Sequence, residues 1–173
     1  MPLSARIALG MLFLAAGLSG CDSILNNQPP PSTPATQPTS NSGSYTTLEQ
    51  SVHEQINQYR KSQNLPPLTL NAEISKEAKA HSQAMANGTV AFSHDGFEGR
   101  VKEIGTSINY RSAAENVAYN QGYSDPATQA VQGWIKSPGH LKNIQGDFNL
   151  TGIGVVQNAK GEYYLTQIFI KRG

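Results

Sequence analysis

The chain has 173 residues, of which 13 are Lys or Arg, 12 are Asp or Glu, four are His and one is Cys. That length accommodates one ordinary domain with appendages and nearly excludes a two-domain enzyme. Charged residues are 14% of the chain where roughly 25% is typical, and a net charge of +1 leaves no basic surplus for phosphates, so nucleic acid is not an expected partner. A single thiol rules out an intramolecular disulfide, a four-cysteine zinc site and a C-x-x-C redox pair.

At the amino terminus, Arg6 precedes an apolar run from Ile7 to Leu18. The run is well short of the about 20 residues that a membrane span needs and ends in small residues, the pattern of a secretory signal over residues 1–20. Leu18-Ser19-Gly20-Cys21 follows and resembles the bacterial lipobox. The resemblance implies cleavage before Cys21 and acylation of both its sulfur and its new amino group, and several acyl chains make a stable membrane anchor. Residues 21–44 then read as a tether. Asn26 to Ser44 holds five of the ten prolines, is rich in Ser, Thr, Gln and Asn, and has no charged residue, so it cannot bury enough apolar surface to offset chain entropy. Extended at about 3 Å per residue, it could hold a domain tens of ångströms from the membrane.

Residues 45–173 form the expected globular part. Thr47 followed three residues later by Gln50 reads as a capping box, and Leu48, Val52, Ile56 and Tyr59 recur at helical spacing. This helix should stop near Asn64, ahead of Leu65-Pro66-Pro67. A second helix is expected after Asn71 as N-cap, with Ile74, Ala78, His81 and Met85 on one face and Gly88 as its stop. A third spans Phe97 to Ile104, ended by Gly105. The fourth is signalled by Asp125 and Pro126, with Ala127, Ala130, Val131 and Trp134 along one side until Pro138-Gly139. Strands are expected over Gly152 to Gln157 and Tyr163 to Ile170, joined by the turn Asn158-Ala159-Lys160-Gly161. Val117 to Tyr119 adds a third. Four helices and a three-stranded sheet define an α+β domain layered helix, sheet, helix.

Familiar catalytic signatures are absent. His53-Glu54 begins like H-E-x-x-H, but Asn57 stands where the second His must be, and there is no G-x-S-x-G elbow or phosphate-binding loop. His53 and His81 read as helix residues, the latter as a core histidine bonded to backbone. His94, in Phe92-Ser93-His94-Asp95-Gly96, and His140, in Ser137-Pro138-Gly139-His140, fall instead in loop-like segments where binding residues are often placed. Glu115 sits in an apolar stretch, where a lone carboxylate should seek a partner. Ser137, His140 and Glu115 contain the residue types of a nucleophile, base and orienter, although Ser-Pro is also a common helix end.

Taken in order, Phe92-Ser93-His94, Ala114-Glu115-Asn116-Val117-Ala118, Trp134-Ile135-Lys136-Ser137-Pro138-Gly139-His140 and Thr151-Gly152-Ile153-Gly154-Val155 resemble the bacterial branch of the CAP superfamily, the SCP-like extracellular proteins. Asn57-Gln58-Tyr59-Arg60, Leu65-Pro66-Pro67-Leu68 and Thr166-Gln167-Ile168-Phe169 are similar to its opening and closing segments. The resemblance runs from Leu48 to Ile170 and implies an α-β-α sandwich with a central antiparallel sheet. It also implies a cleft with two His and two acids that sometimes takes zinc or another divalent ion. His94, His140 and Glu115 match three of these positions, Asn116 and Ser137 flank them, and Ser137 stands where the second acid is usual. Either these three side chains ligate a metal, or Glu115 hydrogen-bonds one histidine or backbone groups in a structural network. No cofactor is required by the pattern. Three functions are expected of a lipid-anchored, extracytoplasmic domain of this kind. One is a non-enzymatic binding module for a metal, small molecule, lipid or peptide. The others are a metal-assisted hydrolase of envelope peptides or polymers, with Glu115 as base, and a module for envelope protein partners with a relic cleft.

Overall fold

The computed structural model describes residues 45–173; the signal, Cys21 and the tether lie outside the described residues. Along the chain run α1 (Thr47–Ser62), β1 (Thr69–Leu70), α2 (Ala72–Ala86), α3 (Phe97–Ile104), β2 (Tyr110–Gln121), α4 (Pro126–Lys136), α5 (Pro138–Gln145), β3 (Leu150–Gln157) and β4 (Glu162–Arg172). The sheet order is β1-β3-β4-β2. β4 pairs antiparallel with both neighbours, and β1 adds a two-residue parallel rung, Thr69 against Leu150 and Leu70 against Thr151.

Alternation along the strands sends side chains to two helical layers. On one face Ile153, Val155, Leu165 and Phe169 pack with Val52 and Ile56 of α1, Ala127, Ala130, Val131 and Trp134 of α4, and Ile144 of α5. Across the sheet, Ile168 and Ile170 pack with Ile74 and Ala78 of α2 and Ile104 of α3. The expected α-β-α sandwich is therefore the observed architecture.

The sheet has a fourth strand, the short β1, whose parallel rung departs from the expected three-stranded antiparallel sheet, because Leu65 to Leu68 leads the chain from α1 alongside β3. Three further local details differ from the sequence reading. The capping box of α1 uses Thr46 and Glu49 rather than Thr47 and Gln50. Thr46 Oγ1 accepts from Glu49 N at 3.2 Å while Glu49 Oε2 accepts from Thr46 N at 2.8 Å. Both pairs satisfy the spacing, and the choice follows from tertiary structure, because Glu49 Oε1 also accepts from Val155 N at 3.3 Å. Pro138-Gly139 does not end the helical region but opens α5. Ser137 closes α4 and starts α5, and a proline in the first turn sacrifices no helical hydrogen bond. The third strand is much longer than Val117 to Tyr119, since all of β2 finds partners along β4.

A very close helix–sheet contact occurs at Gly152 and Gly154 of β3. A Cβ on Gly152 would lie 2.3 Å from the main chain of Ile74 and Ser75, and one on Gly154 would lie 2.3 Å from that of Lys79. Ser75 Oγ accepts from Ile153 N at 3.0 Å, and Ser82 Oγ bonds Gly154 O and Thr166 Oγ1. A second fixed point is Arg60, 1% exposed. Its guanidinium donates to the carbonyls of Pro66, Ile144, Gly146 and Phe148, tying α1 to the end of α5. Burial pulls its pKa below the usual arginine value. Gly154→Ala should cost about 2–3 kcal/mol by overpacking. Urea denaturation measures this, and an unshifted midpoint would mean that α2 does not rest on the main chain of β3.

Candidate functional site

Glu115 lies near the middle of β2, the strand at the end of the sheet opposite β1. Its side chain is only 1% exposed, and both oxygens are occupied. Arg100 of α3 donates from Nε to Oε2 at 2.9 Å and from Nη2 to Oε1 at 2.8 Å, a bidentate pair. His94 Nδ1 lies 3.0 Å from Oε1. The partner demanded by a buried carboxylate is thus a guanidinium, which the sequence reading did not identify. Arg100 sits on a short amphipathic helix with Lys102 nearby, and nothing in the spacing singles it out.

The loop carrying His94 is held from several sides. Arg100 Nη1 donates to Asp95 O at 2.9 Å and Nη2 approaches His94 O at 3.4 Å. Ser93 Oγ accepts from Asp95 N at 3.1 Å, and His81 Nε2 donates to Ser93 O at 2.9 Å. His81 is therefore the backbone-bonded core histidine expected from its place on α2, and the carbonyl it holds is next to His94. Burial lowers its pKa, an effect that the bond to Ser93 partly offsets. Gly96 takes φ +77°, and a Cβ there would come within 3.3 Å of Arg100 Nη1. Glycine both permits this turn and leaves room for the guanidinium.

Asn116, the next residue on β2, points to the opposite face. Its Nδ2 donates to His140 O at 3.2 Å, and its Oδ1 accepts from Asn143 Nδ2 at 2.9 Å. The same Asn143 amide bonds Glu115 O at 3.1 Å. Adjacent residues of one strand thereby engage α3 on one side and α5 on the other. This brings the rings of His94 and His140 to a centroid distance of 6.4 Å, with planes tilted by 43°. His94 is half exposed, whereas His140 Nδ1 is buried without a hydrogen-bond partner. Burial and then repulsion from His94 lower the His140 pKa, so its imidazole is neutral at neutral pH.

The structure brings His94, His140, Glu115 and Asn116 close to one another. Ser137 stands at the α4–α5 junction, and among the described residues its hydroxyl bonds neither His140 nor Glu115. Glu115 orients His94 instead, so the serine, base and orienter arrangement does not form. For a metal, the two imidazole rings lie 6.4 Å apart by centroid, and the third implied ligand is already paired with Arg100. Among the described residues no group of three or more His, Cys, Asp or Glu is arranged to hold a metal ion. Beyond the cleft, Phe92, Tyr119 and Tyr164 form an edge-to-face series of rings, with Phe92 and Tyr119 solvent-exposed.

An α-β-α sandwich with a His/Glu side-chain cluster around its outer strand defines the class of domain. Residues 53–169 match the CAP, or cysteine-rich secretory protein, family, and the chain belongs to it. It is 36% identical to the uncharacterized protein YkwD of Bacillus subtilis over 76% of this chain and 50% of that one. It is 34% identical to the uncharacterized membrane protein YlbC of the same organism, over 73% of this chain and 35% of that one. The chain thus spans half or less of these relatives. Among solved structures, an extracellular SCP-domain protein of Bacillus anthracis superposes with TM-score 0.61 at 29% identity, over 75% of this chain and 45% of that one. An outer surface protein of Borrelia burgdorferi shares the fold with TM-score 0.62 at 18% identity, over 73% of this chain and 93% of that one.

Removing Glu115 leaves the guanidinium of Arg100, 11% exposed, without its counter-charge. Glu115→Ala should therefore cost about 3 kcal/mol in urea denaturation. A loss below about 1 kcal/mol would show that Arg100 reaches water once the carboxylate is gone.

Proposed function

We propose that this protein is a non-enzymatic binding module whose cleft engages its ligand through the imidazoles of His94 and His140. The observation that carries this reading is the state of Glu115. A carboxylate whose two oxygens are held by Arg100 and His94 is neither a free general base nor an available third metal ligand. It supports a reading in which the cleft presents hydrogen-bonding nitrogen atoms to a peptide or small molecule, or two donors to a divalent ion. Neutral imidazole is the form that binds metal, so zinc is the first probe. Calorimetric titration with zinc at about pH 7.5 should show binding that His94→Ala and His140→Ala each abolish. Binding undiminished in both folded variants would remove the cleft from the reading. Absence of binding in the wild type would turn the search to peptides and small molecules.

One observation favours the hydrolytic alternative, namely the bond from His94 to Glu115, which is the way a catalytic histidine is oriented by an acid. Reproducible turnover of envelope fragments that is lost in folded His94→Ala would replace the binding-only reading.

The domain is presented outside the cytoplasm on a lipid anchor at Cys21, with residues 21–44 as tether. Support comes from the signal-like residues 1–20 and the lipobox-like Leu18 to Cys21. Similarity to an extracellular protein of Bacillus anthracis points the same way. Among the described residues no helix is long and apolar enough to cross a membrane. Cys21→Ser should shift the protein from the membrane to the soluble fraction of envelope preparations. Unchanged partitioning would refute the anchor.

A further inference from the structure

The cleft reading leaves open which nitrogen of His94 faces the ligand, and the surroundings of Glu115 answer it. Both oxygens of Glu115 accept from the bidentate guanidinium of Arg100, and a carboxylate in such an ion pair can only accept hydrogen bonds. His94 Nδ1, 3.0 Å from Oε1, must then carry its proton and donate it. In the neutral ring the lone pair consequently sits on Nε2. We infer that Arg100 is the positioning residue of the cleft, fixing both the tautomer and the placement of His94 so that an unprotonated Nε2 is presented to the ligand.

Placement and tautomer come from the same side chain. Besides holding Glu115, Arg100 donates Nη1 to Asp95 O at 2.9 Å and directs Nη2 toward His94 O at 3.4 Å. Gly96 leaves the space in which that guanidinium lies. The other ionisable neighbours do not compete for Nδ1. His81 of α2 has its Nε2 committed to Ser93 O, and the His140 ring of α5 is 6.4 Å away by centroid. Asp95 meets Arg100 through its main-chain carbonyl. A ligand of the cleft therefore meets an electron pair on His94, which selects a group offering N–H, O–H or a metal ion over one offering a lone pair. Arg100 itself adds no pull on an anion, because its charge is already paired with Glu115.

This inference rests on the cleft reading, but its test needs no ligand, so failure of the one is distinct from failure of the other. Long-range proton–nitrogen correlation spectra of histidine-labelled full-length protein near neutral pH report the tautomer of each ring. Wild-type His94 should carry its proton on Nδ1 with an excess of about tenfold or more, the ratio set by a hydrogen bond to a charged group. His81 should show the opposite pattern, with the proton on Nε2, and serves as an internal marker of the folded domain. In Arg100→Gln the His94 preference should fall to within about threefold of parity or give way to the imidazolium signature, while His81 is unchanged. Arg100→Lys, which keeps the charge beside Glu115, should restore most of the preference. A wild-type His94 protonated on Nε2 would overturn the inference. So would a folded Arg100→Gln protein in which removal of the fork and the charge leaves the His94 pattern untouched.

Discussion

The site depends on one constraint, that a carboxylate buried in the middle of an outer strand must be neutralised from within the domain. Glu115 is paired with Arg100, and that pair fixes the relation of α3 to β2. The loop before α3 is then tied to the same guanidinium through Asp95 O, which sets the position of His94. On the far side of β2, Asn116 and Asn143 have the corresponding role for α5 and His140. Side-chain alternation between two adjacent residues of one strand therefore brings His94 and His140 together from two layers that otherwise share only the sheet.

Precision at such a site requires that the layers themselves do not slide. The contact of α2 with the main chain of β3 at Gly152 and Gly154 admits no intervening side chain, so α2 and His81 are held at fixed height above the sheet. On the other face, Arg60 gathers the carbonyls of Ile144, Gly146 and Phe148, closing the carboxyl-terminal end of α5 behind His140. The sheet margins are also closed by side chains. Ser75 and Glu49 accept from Ile153 N and Val155 N beyond the short β1, and Asn143 and Trp134 donate to the carbonyls of Glu115 and Val117 on β2. Strand addition by another chain is opposed at both margins.

Family membership determines the scaffold more firmly than the chemistry performed on it. The similar structures share the fold at identities as low as 18%. What the cleft binds depends instead on a few side chains and their protonation. In this chain Ser137 stands where the family resemblance implies a second acid, and Glu115 is paired with Arg100. Under the proposed reading, both features favour recognition by imidazole nitrogen atoms over acid–base or three-ligand metal chemistry.

Much of this was legible along the chain, because local rules govern it. The caps at Asn71 and Asp125, the stripes Ile74–Ala78–Met85 and Ala127–Val131–Trp134, and the hairpin around Gly161 depend on neighbours within a few residues. The family resemblance carried by the segments around His94, Glu115 and His140 implied the site, and the cost of burying a lone acid demanded a partner. Sequence alone did not name that partner, since Arg100 meets Glu115 only because α3 packs over β2. Nor did it locate α5, whose eight residues carry too short an apolar pattern and open with a proline that reads equally as a stop. The choice of Thr46 over Thr47 as cap was likewise decided by Val155, more than a hundred residues away. Periodicity and turn chemistry thus determined the elements, while pairing of buried charges and polar groups between distant segments, which only the folded chain brings within hydrogen-bond reach, decided how the site is built.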